Sequence, residues 1–278
     1  MDTGFPTSDA QFDFSRARRA RVLAQLGARL RGEPSDLGLI LPFEEVVEAL
    51  GRTGEHDLGR VSISLESIVG SVDRHKEFDR RFRPTSGRIR PRWERIADAQ
   101  RRGTDMPPIS VYRVGELHFV RDGHHRVSVA RALGRTHIDA YATEVTTRVG
   151  AHGTIRAADL PMKSHERVFL ERVPLTAEQR DRVRLSDAWR YAELAEGVEA
   201  WGFRVAQGRG EYLTREQVAG DWMRDEYLPV VGMLREADLV GRGTEADAYM
   251  RVAAERYRLM RTHVWNEEIV ERLRQEMR

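Results

Sequence analysis

Val120–Gly134 reads VRDGHHRVSVARALG. A β-branched run stops at Asp122, one glycine follows, two histidines and an arginine come in succession, and small apolar residues at helical spacing begin. Strand, glycine, donors, helix is a construction that seats anions. The first N–H groups of a helix have no partner within it and carry partial positive charge. Gly123 would let another molecule approach the backbone. Arg126 supplies a planar fork for phosphate oxygens, and His124 and His125 can donate hydrogen bonds. Asp122 would cap the helix, orient a histidine or hold magnesium through water. Two plainer readings stay open at this point: an uninvolved Asp-Gly turn, and a metal site drawn from His118, His124, His125 and His137.

Working outward, Pro107–Val114 and Leu117–Asp122 read as two strands joined by Gly115-Glu116, a hairpin with glycine first. A strand begins at Arg60, a helix covers Arg90–Gly103 with Trp93, Ile96 and Ala97 on one side, and His137–Val145 is the last strand. Upstream, residues 14–31 predict a helix with Val22, Leu23, Leu26 and Leu30 on its apolar side. Pro42–Gly51 is a second, short helix closed by glycine, and 52–59 reads as a polar linker. Downstream of Met162 the pattern is helical, over 186–202, 215–237, 245–262 and 265–277. Capping boxes stand at Thr176–Gln179 and Thr214–Gln217. The expected class is α+β: a helical N-terminal segment (1–56), a small mixed-sheet domain (57–147) and a helical C-terminal domain (148–278).

Composition narrows the function. The 278 residues hold no cysteine, which rules out disulfides and thiolate chemistry. No apolar run approaches the roughly 20 residues that span a bilayer, and the first residues lack a signal-peptide layout. The expectation is therefore a cytoplasmic protein with no membrane partner. Net charge is only +2, but residues 74–102 carry eleven Lys/Arg against four Asp/Glu, whereas 175–278 carry seventeen against twenty. A polyanion such as DNA would meet the middle of the chain. Asp221 and Asp225 share a helix face and read as solvated. Trp222, Tyr227, Val230, Val231 and Leu234 form a stripe for a core or for a partner helix, the latter giving a homodimer through the C-terminal helices.

VSISLESIVGSVDR, PPISVYRV, LHFVRDGHHRVSVARALG and IDAYATEV, in this order, resemble the ParB/sulfiredoxin superfamily over about 61–145. The resemblance implies that the glycine-to-arginine turn, here Gly123, His124, His125 and Arg126, contacts nucleotide phosphates. It also implies that the turn after the first strand, here Gly70, Ser71, Asp73 and Arg74, lies beside it. Sulfiredoxin activity is excluded, because His124 stands where that branch needs cysteine. The partition-protein branch binds CTP and continues into a DNA-reading helix-turn-helix, which the acidic helical region does not suggest. DGHHR is most similar to the Asp-Gly-His-x-Arg turn of the free-serine kinases. The expectation is a nucleoside triphosphate (ATP or CTP) with Mg2+, used by a hydrolase or small-molecule phosphotransferase. His125 and Arg126 would clamp the phosphates, Arg74 would clamp from the opposite turn, and Asp73 or Glu66 would be the base. The alternatives are a nucleotide-gated DNA-binding protein and a ParB-like nuclease.

Overall fold

The glycine-first hairpin organises the sheet. In the computed structural model, which describes residues 4–32, 38–73, 76–151, 155–260, 271, 274 and 275, β4 (Ile109–Val114) turns through Gly115 at φ 58° into β5 (Leu117–Asp122). Four more strands complete one mixed sheet: β1 (Leu41–Pro42), β2 (Arg52–Ser64), β3 (Ile68–Ser71) and β6 (His137–Thr147), in the order β1-β3-β5-β4-β6-β2. β1, β3 and β5 run parallel, so Pro42, Ser71 and Asp122 end at one edge of the sheet. That carboxyl edge is where open α/β sheets form crevices.

Alternation along the strands divides the core. Ile109, Val111 and Val120 join Trp93, Val127 and Val129 in one apolar cluster. On the opposite face Phe43 stacks on Tyr112 at 4.4 Å and meets Phe119 edge-on. Three helices contribute to the first cluster: α1 (Pro6–Leu30), α3 (Arg90–Arg101) and α4 (His124–Ala132), while α2 (Phe43–Leu50) supplies Phe43 to the other. Trp93 is the keystone, with its ring edge-on to Phe14 at 5.5 Å and its Nε1 donating to Ser128 Oγ at 2.8 Å.

Two expectations are corrected here. The polar stretch 52–59 is strand, not linker. It pairs antiparallel with β6, with a register shift around Gly59 (φ 67°), the glycine relieving the irregularity that its charged neighbours do not signal. Helix α1 also turns its face the other way. Ala10 and Phe14 are buried, and so are Asp9 and Asp13, because Arg101 donates to Asp13 Oδ2 at 2.7 and 2.9 Å and lies 3.7 Å from Asp9. Val22, Leu23, Leu26 and Leu30 are exposed. Paired carboxylates can be buried where an apolar count would not place them.

The chain divides into two units, Met1–Pro161 and Met162–Arg278. The N-terminal segment 1–56 therefore belongs with the sheet, and the boundary falls after Pro161 rather than at 147. In the second unit both capping boxes form, as in the bonds Thr176 N to Gln179 Oε1 at 2.9 Å and Thr214 N to Gln217 Oε1 at 2.8 Å. These open α6 (Ala177–Arg182) and α8 (Arg215–Trp222), which accompany α5 (Leu160–Arg172), α7 (Arg190–Arg209), α9 (Leu228–Glu236) and α10 (Glu245–Met260). Between α8 and α9 a π-helical turn, Met223–Tyr227, precedes Pro229, which has no N–H to donate and crowds the carbonyl a turn before it. Trp222, Tyr227, Val230, Val231 and Leu234 are all buried within this unit, so that stripe is core and is not open to a partner helix. Asp221 and Asp225 bind Arg224 and Arg209. The expected helix at 265–277 lies almost wholly outside the described residues.

Candidate functional site

Parallel pairing sets Ser71 of β3 beside Val120 of β5. The turn after β3 and the start of α4 therefore come side by side, and one hydrogen bond ties them: Ser71 Oγ and His124 Nε2 are 2.7 Å apart, both buried. Gly70 makes this approach feasible, since a Cβ there would lie 2.1 Å from the Phe119 ring and 2.6 Å from Leu41 O. Its lack of a side chain serves packing, not a ligand.

Gly123 tells a similar story. It adopts φ 102°, a left-handed conformation natural only to glycine, and a Cβ would lie 2.4 Å from Ile109 Cγ2 and 3.1 Å from an Arg126 nitrogen. The space that would admit a phosphate at this atom is filled by the protein's own residues.

The histidines differ most from expectation. His124 and His125 are 4% and 5% exposed. Phe78 and Phe82 each stack on the His124 ring at 6.3 Å, and Phe78 meets His125 edge-on at 5.4 Å. The loop that carries these rings is fixed by Asp79, whose Oδ1 accepts from the Arg81 and Arg83 N–H groups at 3.0 and 2.9 Å while Oδ2 takes the Arg83 side chain at 2.8 Å. Phe82 is held at φ 55°, which costs a non-glycine residue about 1–3 kcal/mol and persists only where its surroundings over-determine it. Arg131 helps to do so. It lies over the Phe82 ring at 5.5 Å, donates to Ile68 O at 2.9 Å and to Leu65 O, and burial draws its pKa down to about 10 against the pull of Asp79. As they stand, His124 and His125 are packing groups, and His125 is not presented as a phosphate clamp.

Arg126 is likewise engaged. It donates to Pro107 O, to Pro108 O at 2.9 Å and to Asp122 Oδ2 at 2.5 Å. It is nearly covered, whereas Asp122 is 69% exposed. The guanidinium anchors the strand-entry prolines to the helix start, and a phosphate would have to share or displace those carbonyls. Asp73 is exposed at the end of β3 beside the same turn. Arg74 lies outside the described residues. Lys76, just beyond, is exposed.

Glu66 does not join this group. It sits in the short helical turn Leu65–Ser67 before β3, its N–H capped by Ser64 Oγ at 3.2 Å. Ser71 ends that strand, and the strand Ile68–Ser71 alone sets about 10 Å between the two ends. Glu66 therefore cannot be the base for phosphates held at Ser71 and Asp122. It lines instead a cavity of about 2090 Å3 at the amino edge of β3, between α1 and the Phe78–Thr85 loop. Arg16, Arg21, Lys76, Arg81, Arg131 and Arg135 face that cavity, which none of Ser71, Asp73 and residues 122–126 line. The cation excess expected for 74–102 is thus gathered partly with arginines from α1.

A second serine–histidine pair escaped the sequence reading. Ser67 Oγ and His118 Nδ1 are 2.8 Å apart, and burial, with Arg113 nearby, pushes the His118 pKa down to about 4. Ser67 Oγ also donates to Ser64 O at 2.7 Å, so the pair closes a turn rather than activating a nucleophile. Among the described residues no three His, Cys, Asp or Glu gather to hold a metal, and the histidine-cluster reading loses its geometric basis.

The fold and this edge define a mixed α/β domain whose polar turn residues converge at the carboxyl ends of parallel strands. No family model matches the chain, and a search of curated proteins returns no match.

Proposed function

We propose that the first unit is a ParB/sulfiredoxin-like domain that binds the phosphates of a nucleoside triphosphate at the carboxyl ends of β3 and β5, acting as an NTP-dependent hydrolase or small-molecule phosphotransferase. The observation that carries this reading is the Ser71–His124 bond, which sets the turn after β3 against the Gly123–Arg126 turn, the juxtaposition that the family resemblance implies. The first-turn N–H groups of α4 are the phosphate donors of this reading. Gly123, His124 and His125 are buried, the histidines against Phe78 and Phe82, so a nucleotide reaches them only by displacing that loop. Asp73, exposed just beyond β3, is the base. Mg2+ fits as a visitor brought by the nucleotide: Asp122 offers an exposed carboxylate with one oxygen outside its pair with Arg126, and this ion commonly takes one or two carboxylates besides phosphate and water. Arg126 and His124 shape the seat from behind.

The test is a melting-temperature panel of ATP, ADP, CTP and GTP with Mg2+ on the full chain. A ligand at 100 times its Kd stabilises by about 2.7 kcal/mol, or about 5–10 °C for a unit of this size. Asp122→Asn, at an exposed side chain, should erase the shift and leave the unliganded Tm unchanged. No shift with any nucleotide would sink the reading.

The amino-edge cavity favours a second reading, in which nucleic acid lies along its arginines and the nucleotide acts as a switch. Salt-sensitive retention of DNA that changes with nucleotide would favour it over turnover.

A further inference from the structure

Helix α1 packs by one face and leaves the other bare. Phe12, Val22, Leu23, Leu26 and Leu30 are between 49% and 89% exposed. At 100° per residue, Phe12, Leu23, Leu26 and Leu30 fall on one stripe along a helix about 37 Å long. Arg19 lies in the stripe, seven residues from both Phe12 and Leu26; Arg18 and Arg29 stand to one side of it, Arg29 also lining the amino-edge cavity, and all three are exposed. The only carboxylates of the helix, Asp9 and Asp13, are buried on the inner face against Arg101. The outward face therefore combines large apolar side chains with arginine and holds no negative charge.

We propose that this face docks on an anionic lipid surface, the helix lying flat in the headgroup layer. Charge complementarity selects the occupant. A second copy of the helix would set arginine against arginine with no carboxylate to relieve it. A nucleic acid would satisfy the arginines and leave Phe12 and the leucines in water. An anionic bilayer takes both: the leucines and phenylalanine enter the acyl boundary, while arginine stems run along it and carry their charges up to the phosphates. No described helix is long and apolar enough to cross a membrane; lying on one needs only a single apolar face. Phe14, Trp93 and the Asp13–Arg101 bonds hold α1 to the sheet unit, so the outward face is displayed on a folded support.

The experiment is co-sedimentation of the full chain with vesicles of phosphatidylcholine alone and of phosphatidylcholine mixed with phosphatidylglycerol, at low and high salt. The expected result is about a hundredfold stronger retention on the phosphatidylglycerol vesicles at low salt, because each arginine near an anionic surface contributes about fivefold. Leu23→Glu with Leu26→Glu, and separately Arg18→Ser with Arg19→Ser, should each abolish it. Circular dichroism and Tm should not move, since these side chains face water. Equal retention on both vesicle types, no retention, or retention indifferent to both double variants would overturn the proposal. So would a dimer, seen by light scattering without vesicles, that the leucine variant dissociates.

Discussion

The two edges of one sheet treat polar side chains in opposite ways. At the carboxyl edge, Ser71, His124 and Arg126 are spent on the protein itself: serine on histidine, histidine between two phenylalanine rings, arginine on three backbone and side-chain oxygens. At the amino edge, Lys76, Arg81 and Arg135 face an open cavity. A histidine- and arginine-rich turn thus marks a tightly specified backbone, with Asp122 as its exposed carboxylate. The less conspicuous edge displays the accessible cations.

The contrast breaks first at His124. His124→Ala removes one partner of buried Ser71 and opens a cavity between Phe78 and Phe82, together about 4 kcal/mol of stability, measured by urea unfolding. A loss under about 1 kcal/mol would mean that the carboxyl edge is not locked as described.

The next test is pH. His118 is held neutral by burial, its folded pKa about 4 against an ordinary 6.5. Between these values the unfolded chain binds the proton and the folded chain does not. Stability from this group is therefore intact above about pH 6.5 and falls as pH drops toward 4, by on the order of 3 kcal/mol. His118→Gln should flatten unfolding free energy against pH across that window; an unchanged slope would contradict the burial of His118 at the Ser67 turn.

Gly123→Ala ranks third, at about 2–3 kcal/mol, from a strained φ and a contact with Ile109. Ile109→Ala in the same chain should recover the part of the contact made by Cγ2, at 2.4 Å, but not that made by Cβ, at 2.8 Å, which a double-mutant cycle reads as partial non-additivity. Purely additive losses would separate the two residues.

Much of the fold was legible where local chemistry is decisive. Gly115 turned the hairpin and Thr176 and Thr214 opened their helices, because each residue acts on its immediate neighbours. Strand 52–59 was hidden, since its partner lies some ninety residues on and its sequence is charged and glycine-containing. The inner face of α1 was hidden for another reason: Asp9 and Asp13 are buried only because Arg101 arrives from α3. At the candidate site, the order strand–glycine–helix could be read from residues 120–134, and the neighbourhood of Ser71 followed from the family resemblance. The enclosure of His124 and His125 could not be read, because the aromatic rings that cover them sit more than forty residues upstream in a loop whose arginines drew attention instead.

The smallest expected stability change is at the amino edge. Arg81→Glu with Arg135→Glu, both exposed, should leave unfolding within about 0.5 kcal/mol of the parent while weakening salt-dependent retention on a polyanion resin. Retention without change would place the polyanion elsewhere.

Hydrogen exchange of the full chain with and without ATP–Mg2+ or CTP–Mg2+ tests nucleotide binding at the carboxyl edge most directly. Binding there slows exchange at the amides of 71–73 and 123–126 and leaves 16–30 and 131–136 untouched. Protection confined to the amino-edge residues, or no protection at any amide with either nucleotide, would contradict it.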